Sequence, residues 1–138
     1  MDTKHAVAEL LAKPSVDAMI YALRHPETWP DGFEWDYRGC STCAMGLAAR
    51  LWEEIEFPSW YEVGDALKMN RVAAIWIFND LPTRTEKASS AITPEHVAAA
   101  LEAYLETLRR LVADGKLKEV PAEYPWYVFK SVSVEVVP

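Results

Sequence analysis

Thr93-Pro94-Glu95-His96-Val97-Ala98-Ala99-Ala100-Leu101-Glu102-Ala103-Tyr104-Leu105-Glu106-Thr107-Leu108-Arg109-Arg110-Leu111 carries the clearest helix-start signal in the chain. A threonine can accept a hydrogen bond from the first unsatisfied N–H groups, and proline at the first helical position needs no donor of its own. Val97, Leu101, Tyr104, Leu108 and Leu111 then recur at alternating spacings of four and three, which is one face of an α-helix. Asp114-Gly115 predicts the stop, because glycine readily takes the left-handed cap. The seam covers barely two and a half heptads, so it reads first as a core helix and second as a face for self-association in a homodimer.

Working outward, the rest of the chain repeats the helical period. Val7, Leu10 and Leu11 predict a short first helix stopped by Pro14. Ser15 caps a second, in which Val16, Met19, Ile20 and Leu23 share a face before His25-Pro26 ends it. A third helix is predicted over residues 41–56, with Cys40, Cys43, Ala44, Leu47, Leu51 and Ile55 as its apolar stripe. Ser59-Trp60-Tyr61-Glu62 has capping-box spacing and opens a fourth. Beyond Asn70, residues 71–78 are apolar nearly all round, which fits a buried short helix better than a core strand.

Two segments read as extended. Pro30-Asp31-Gly32 is a turn signal, followed by Phe33, Trp35 and Tyr37 alternating with charges. Residues 127–136 alternate strictly over their second half, as a strand with one buried face does. A lone strand needs a partner, and residues 33–37 are the internal candidate. The expected fold is therefore mainly α (α+β): a compact bundle of five or six helices with a small two-stranded sheet including the C-terminal strand. No repeat, low-complexity tract or linker divides the chain, so residues 1–138 read as a single domain.

Composition sets the outer limits on function. The 138 residues hold 14 Lys+Arg against 21 Asp+Glu, a net charge of −7, with 51% hydrophobic and 25% charged residues. These proportions exclude a collagen, a polybasic nucleic-acid binder and a disulfide-framework toxin. The N-terminal stretch lacks the apolar core of a secretory signal, and no run approaches the length of a membrane span. With only two cysteines, the chain reads as soluble and cytoplasmic.

The charge is not spread evenly. Residues 27–65 hold nine acids against Arg38 and Arg50, the whole net −7, while the remaining acids and bases balance at twelve each. The same stretch holds eight of the sixteen aromatic residues. Glu34, Asp36, Glu53, Glu54, Glu56 and Glu62, with Trp35 and Trp60, are the candidate partner-binding residues, since large aromatics beside charge make good interface anchors. An acidic face repels nucleic-acid phosphates directly and attracts a basic protein surface, such as the groove of a nucleic-acid-binding protein.

Cys40 and Cys43 form a C-x-x-C at a predicted helix start, where the dipole lowers a thiolate pKa. A dithiol oxidoreductase using this pair is the enzymatic alternative. No βαβ pattern accompanies it, and small buried hydrophobes on the apolar stripe are the plainer account. A thiol hydrolase would pair one of these cysteines with His96 as base. His5, His25 and His96 lie far apart with no second C-x-x-C, so no metal or other cofactor is expected.

Cys43-Ala44-Met45-Gly46-Leu47-Ala48 followed by Leu51-Trp52, and Ile92-Thr93-Pro94-Glu95-His96-Val97-Ala98 later, resemble small helical proteins of unknown function from bacteria and their phages, over roughly residues 35–110. The resemblance implies a compact, mostly helical domain and transfers no catalytic residue. The leading expectation is a non-enzymatic interaction module that presents residues 27–65 to a basic partner. An inhibitor of a nucleic-acid-binding host defence system, of the anti-CRISPR kind, would suit an acidic chain of this size.

Overall fold

The computed structural model describes residues 3–36, 43–80 and 92–113. Among the described residues six α-helices follow in order: α1 (Thr3–Leu11), α2 (Val16–Arg24), α3 (Ala44–Leu51), α4 (Trp60–Ala66), α5 (Arg71–Ala74) and α6 (Pro94–Ala113). A 3₁₀ turn at Pro26–Thr28 follows α2, and α5 runs on into a π-helical turn at Ile75–Asp80. Mainly helical architecture is thus what the periodicity led one to expect, and residues 71–78 are helical rather than extended.

The start signals act through the hydrogen bonds that residue type suggests. The Ser15 hydroxyl accepts from the Ala18 N–H at 3.0 Å, and that of Ser59 accepts from the Glu62 N–H at 3.2 Å. At the start of α6 the exchange is reciprocal: the His96 N–H donates to Thr93 Oγ1, and the Thr93 N–H to His96 Nδ1, both at 3.2 Å. Histidine here takes the part that Glu or Gln plays in a capping box.

The core forms around α6. Val97, Leu101, Tyr104 and Leu108 are all buried, and the most extensive helix pairing is between α6 and α2, which contributes Ala18, Met19, Ala22 and Leu23. These four positions of the seam that could have paired two copies are thus buried within the chain. Across the edge of this contact, Arg24 donates to both Glu95 and Glu102 at 2.7–2.8 Å. These hydrogen bonds hold both carboxyls below the ordinary 4.5, and those to Glu102 and Glu95 raise the guanidinium further above its usual range.

On its other side α6 reaches the α4–α5 junction. The buried Tyr104 hydroxyl accepts from the Asn70 N–H at 3.0 Å, while Asn70 Oδ1 accepts from Ala73 N–H at 3.4 Å and so caps α5. The chain enters this junction through a Schellman turn. Met69 N–H donates to Gly64 O at 2.8 Å, Lys68 N–H donates to Asp65 O at 3.0 Å, and Lys68 takes φ 59°. Helix α4 lies so close to α5 that a Cβ on Gly64 would stand 2.6 Å from that of Ala74.

Two expectations change. The third helix was expected over 41–56, but its described part is Ala44–Leu51. Trp52 leaves the helix in an extended conformation, and its buried indole donates to Leu11 O at 2.9 Å, stitching the end of α1 to the core. Continuing the helix would withdraw that ring. The two-stranded sheet is not seen: no strand occurs among the described residues, and residues 33–36 are irregular. Their alternation arises because Phe33 and Trp35 both turn inward from a loop. Phe33 meets Trp29 edge-on, and the Trp35 indole donates to Ile92 O at 2.9 Å. Gly32, at φ 85°, lets the preceding turn close with a 3.1 Å bond from Phe33 N–H to Pro30 O. Tyr37, Cys40, Asp114-Gly115 and the C-terminal strand expected over 127–136 lie outside the described residues.

Two outcomes are expected. Gly64→Ala should lower the melting temperature, because overpacking against Ala74 costs about 1–3 kcal/mol and outweighs the roughly 1 kcal/mol that alanine contributes as the better helix former. Arg24→Gln should be less stable than the wild type at neutral pH in chemical denaturation. Carboxyls depressed in the folded state stabilise above their unfolded pKa and lose that effect as pH falls through the folded one. The difference between the two proteins should therefore close as pH drops below 4.5, the ordinary value from which Glu95 and Glu102 are lowered.

Candidate interaction groove

The acidic stretch of the sequence separates into different surfaces. Glu54, Glu56, Glu62 and Asp65, with Pro14 and Ala66, line an open groove of about 530 Å³. Pro14 comes from the α1–α2 connection, Glu54 and Glu56 from the segment between α3 and α4, and the others from α4. Glu62, Asp65 and Ala66 fall at i, i+3 and i+4, so a single helix face supplies one wall. Among the described residues, no Lys, Arg or His is ion-paired with Glu54, Glu56 or Glu62.

Glu62 is positioned from both ends. Its own N–H is held by Ser59, and its Oε2 accepts from the Phe57 N–H at 2.7 Å. This second bond fixes the loop before α4 and leaves the Phe57 ring 63% exposed. Tyr61, the next exposed aromatic, is 44% exposed. It meets the half-buried Trp60 edge-on at 5.7 Å, and the Arg71 guanidinium lies 4.5 Å above its ring. Arg71 Nη2 also donates to the Tyr61 hydroxyl at 2.7 Å, and Nε stands 3.9 Å from Asp65 Oδ1.

The other candidates lie elsewhere. Glu53 is exposed on the turn after Trp52 but does not line the groove. Glu34 is exposed and Asp36 half-buried in the loop that Trp35 anchors by its indole, so Trp35 serves the core more than a surface. Trp60 likewise packs partly against the core. Asp65, Phe57 and Tyr61 stood outside the expected set. The i, i+3 spacing from Glu62 points to Asp65, and a phenylalanine inside Glu56-Phe57-Pro58-Ser59 has little reason to be buried.

Among the described residues, no cluster of His, Cys, Asp and Glu has the arrangement to hold a metal ion.

Cys43 is a thiol at the N-cap of α3, 6% exposed and without a capping bond from its side chain. It borders a small internal space with Trp35, Ala44, Ile77, Phe78, Ile92 and Val97, an apolar setting. His96 is not among those residues, and its Nδ1 is occupied by the cap of α6. The two are therefore not brought together as nucleophile and base. No protein-family model, curated protein or solved structure matches the chain.

A Cys40→Ala variant leaves Cys43 as its single thiol. Burial predicts that iodoacetamide modifies it slowly near neutral pH and at the rate of a free peptide thiol once denaturant is added. Mass spectrometry of the alkylated protein reads both rates, and rapid modification in the native state would contradict the burial.

Proposed function

We propose that the chain is a non-enzymatic interaction module whose Glu54–Glu56–Glu62–Asp65 groove binds a basic protein surface. The observation that carries this reading is four carboxylates around one groove of about 530 Å³, three of them without an ion-pair partner among the described residues, beside an aromatic ring that is 63% exposed. Uncompensated charge of one sign raises the local concentration of an opposite partner and speeds encounter. The exposed Phe57 supplies apolar area that a charged rim alone lacks.

A phosphate-binding face is the basic surface of highest charge density on ordinary proteins, so a nucleic-acid-binding protein is the partner class of best complementarity. Binding there would exclude the nucleic acid by occupying the same cations, which is how an inhibitor of a nucleic-acid-binding defence protein would act. Neither catalysis nor a cofactor enters this reading.

The test is affinity capture from the native cell with wild type and with a Glu54→Lys/Glu56→Lys double variant, each washed at low and at raised salt. A partner of the groove should be retained by the wild type, released as salt rises, and lost from the double variant. Glu53→Lys, outside the groove, should keep most of the captured partner. Retention of the same proteins by the double variant at every salt concentration would overturn the proposal.

A further inference from the structure

The rim of the groove already holds a guanidinium, and it is the chain's own. Arg71 stands at the first position of α5, immediately after the Asn70 cap, and lays its guanidinium 4.5 Å above the Tyr61 ring. One terminal nitrogen donates to the Tyr61 hydroxyl at 2.7 Å, while Nε faces the groove carboxylate of Asp65 at 3.9 Å. An aromatic face flanked by a carboxylate is a setting that favours guanidinium over ammonium, because the planar ion stacks and is less strongly hydrated.

We propose that Tyr61 and Asp65 form an arginine-selective subsite of this groove, and that Arg71 is a tethered occupant which an arginine from the basic partner displaces. The inference rests on the reading of the groove as a surface for a basic partner and adds which cation it prefers and what guards it.

Two other arginines, Arg24 and Arg50, show by contrast why Arg71 is exchangeable. Arg24 is held by three short hydrogen bonds to two carboxylates, and its side chain is only 30% exposed. Arg50 donates to the Asp31 carbonyl and stands 6.0 Å from the Phe33 centroid, away from the groove residues. Arg71 is 61% exposed, its carboxylate contact is long, and its ring partner remains open to solvent. Exposed pairs of this kind are weak and readily exchanged. Phe57, more exposed still and bonded through its N–H to the groove residue Glu62, offers a second ring for a neighbouring side chain of the partner.

Because Arg71 competes for the subsite, its removal should strengthen binding of an arginine-bearing ligand. The probes are nona-arginine and nona-lysine peptides, titrated calorimetrically into the full chain at fixed salt. The wild type should bind nona-arginine several-fold more tightly than nona-lysine. Arg71→Gln should tighten nona-arginine by a further twofold to fivefold, the range of an exposed cation–π contact, with a smaller effect on nona-lysine. Arg109→Gln, on the exposed side of α6, makes the same change in charge and should not reproduce that selectivity. Tyr61→Phe keeps the ring and should retain the preference, whereas Tyr61→Ala should abolish it. Circular dichroism melting of each variant shows that it is folded.

Equal affinity for the two peptides, or an equal response to Arg71→Gln and Arg109→Gln, would overturn the subsite. If both peptides nevertheless bind, and Glu54→Lys/Glu56→Lys weakens both, the acidic groove survives as an interaction surface. Binding of neither peptide would overturn the subsite and the groove together.

Discussion

The buried hydroxyl of Tyr104 joins two parts of this molecule, the α2–α6 core and the α4–α5 junction. It belongs to the buried seam of α6, and it accepts a hydrogen bond from the Asn70 backbone N–H at 3.0 Å. A buried N–H left without an acceptor is costly, so this contact pins the α4–α5 junction to the core. Everything on the groove side follows from that junction. It places Arg71 at the start of α5, turns the acidic face of α4 outward, and brings Gly64 against Ala74. The left-handed Lys68 belongs to the same construction, because the Schellman turn must reverse the chain within three residues before Asn70 can cap the next helix.

Aromatic residues divide between two tasks in the described structure. Trp29 and Trp35, partly buried against the core, and the buried Trp52 each direct an indole N–H to a backbone carbonyl, of Ala22, Ile92 and Leu11 respectively. These bonds tie loops and helix ends to the core without regular structure in the loops themselves. Phe57 and Tyr61 do the reverse, standing exposed beside carboxylates. An aromatic count over residues 27–65 merges the two groups, although among the described residues Phe57 and Tyr61 are the exposed large aromatics.

The local features were legible in the residues. Ser15, Ser59 and Thr93 cap as their neighbours suggest, because capping needs only groups within one turn. The seam of α6 and the helical state of residues 71–78 follow from spacing and continuous apolarity. Features that depended on distant partners were not legible in the same way. The end of α3 is decided by the Leu11 carbonyl that Trp52 reaches, forty-one positions earlier. The apparent strand at residues 33–36 is a loop that buries alternate aromatics, and a period of two over so few residues describes either equally well.

Sequence alone determined that the chain is mainly helical, where most of its helices begin, and that its net charge lies within residues 27–65. These are consequences of local backbone hydrogen bonding, side-chain periodicity and counting. Only the tertiary structure decided which acids act together. Glu54, Glu56, Glu62 and Asp65 share a groove while Glu34, Asp36 and Glu53 do not, because the path of the chain after Trp52 and the face that α4 turns outward are set by packing against residues far away in sequence. The same packing seats Arg71 on Tyr61, ten positions apart on two different helices.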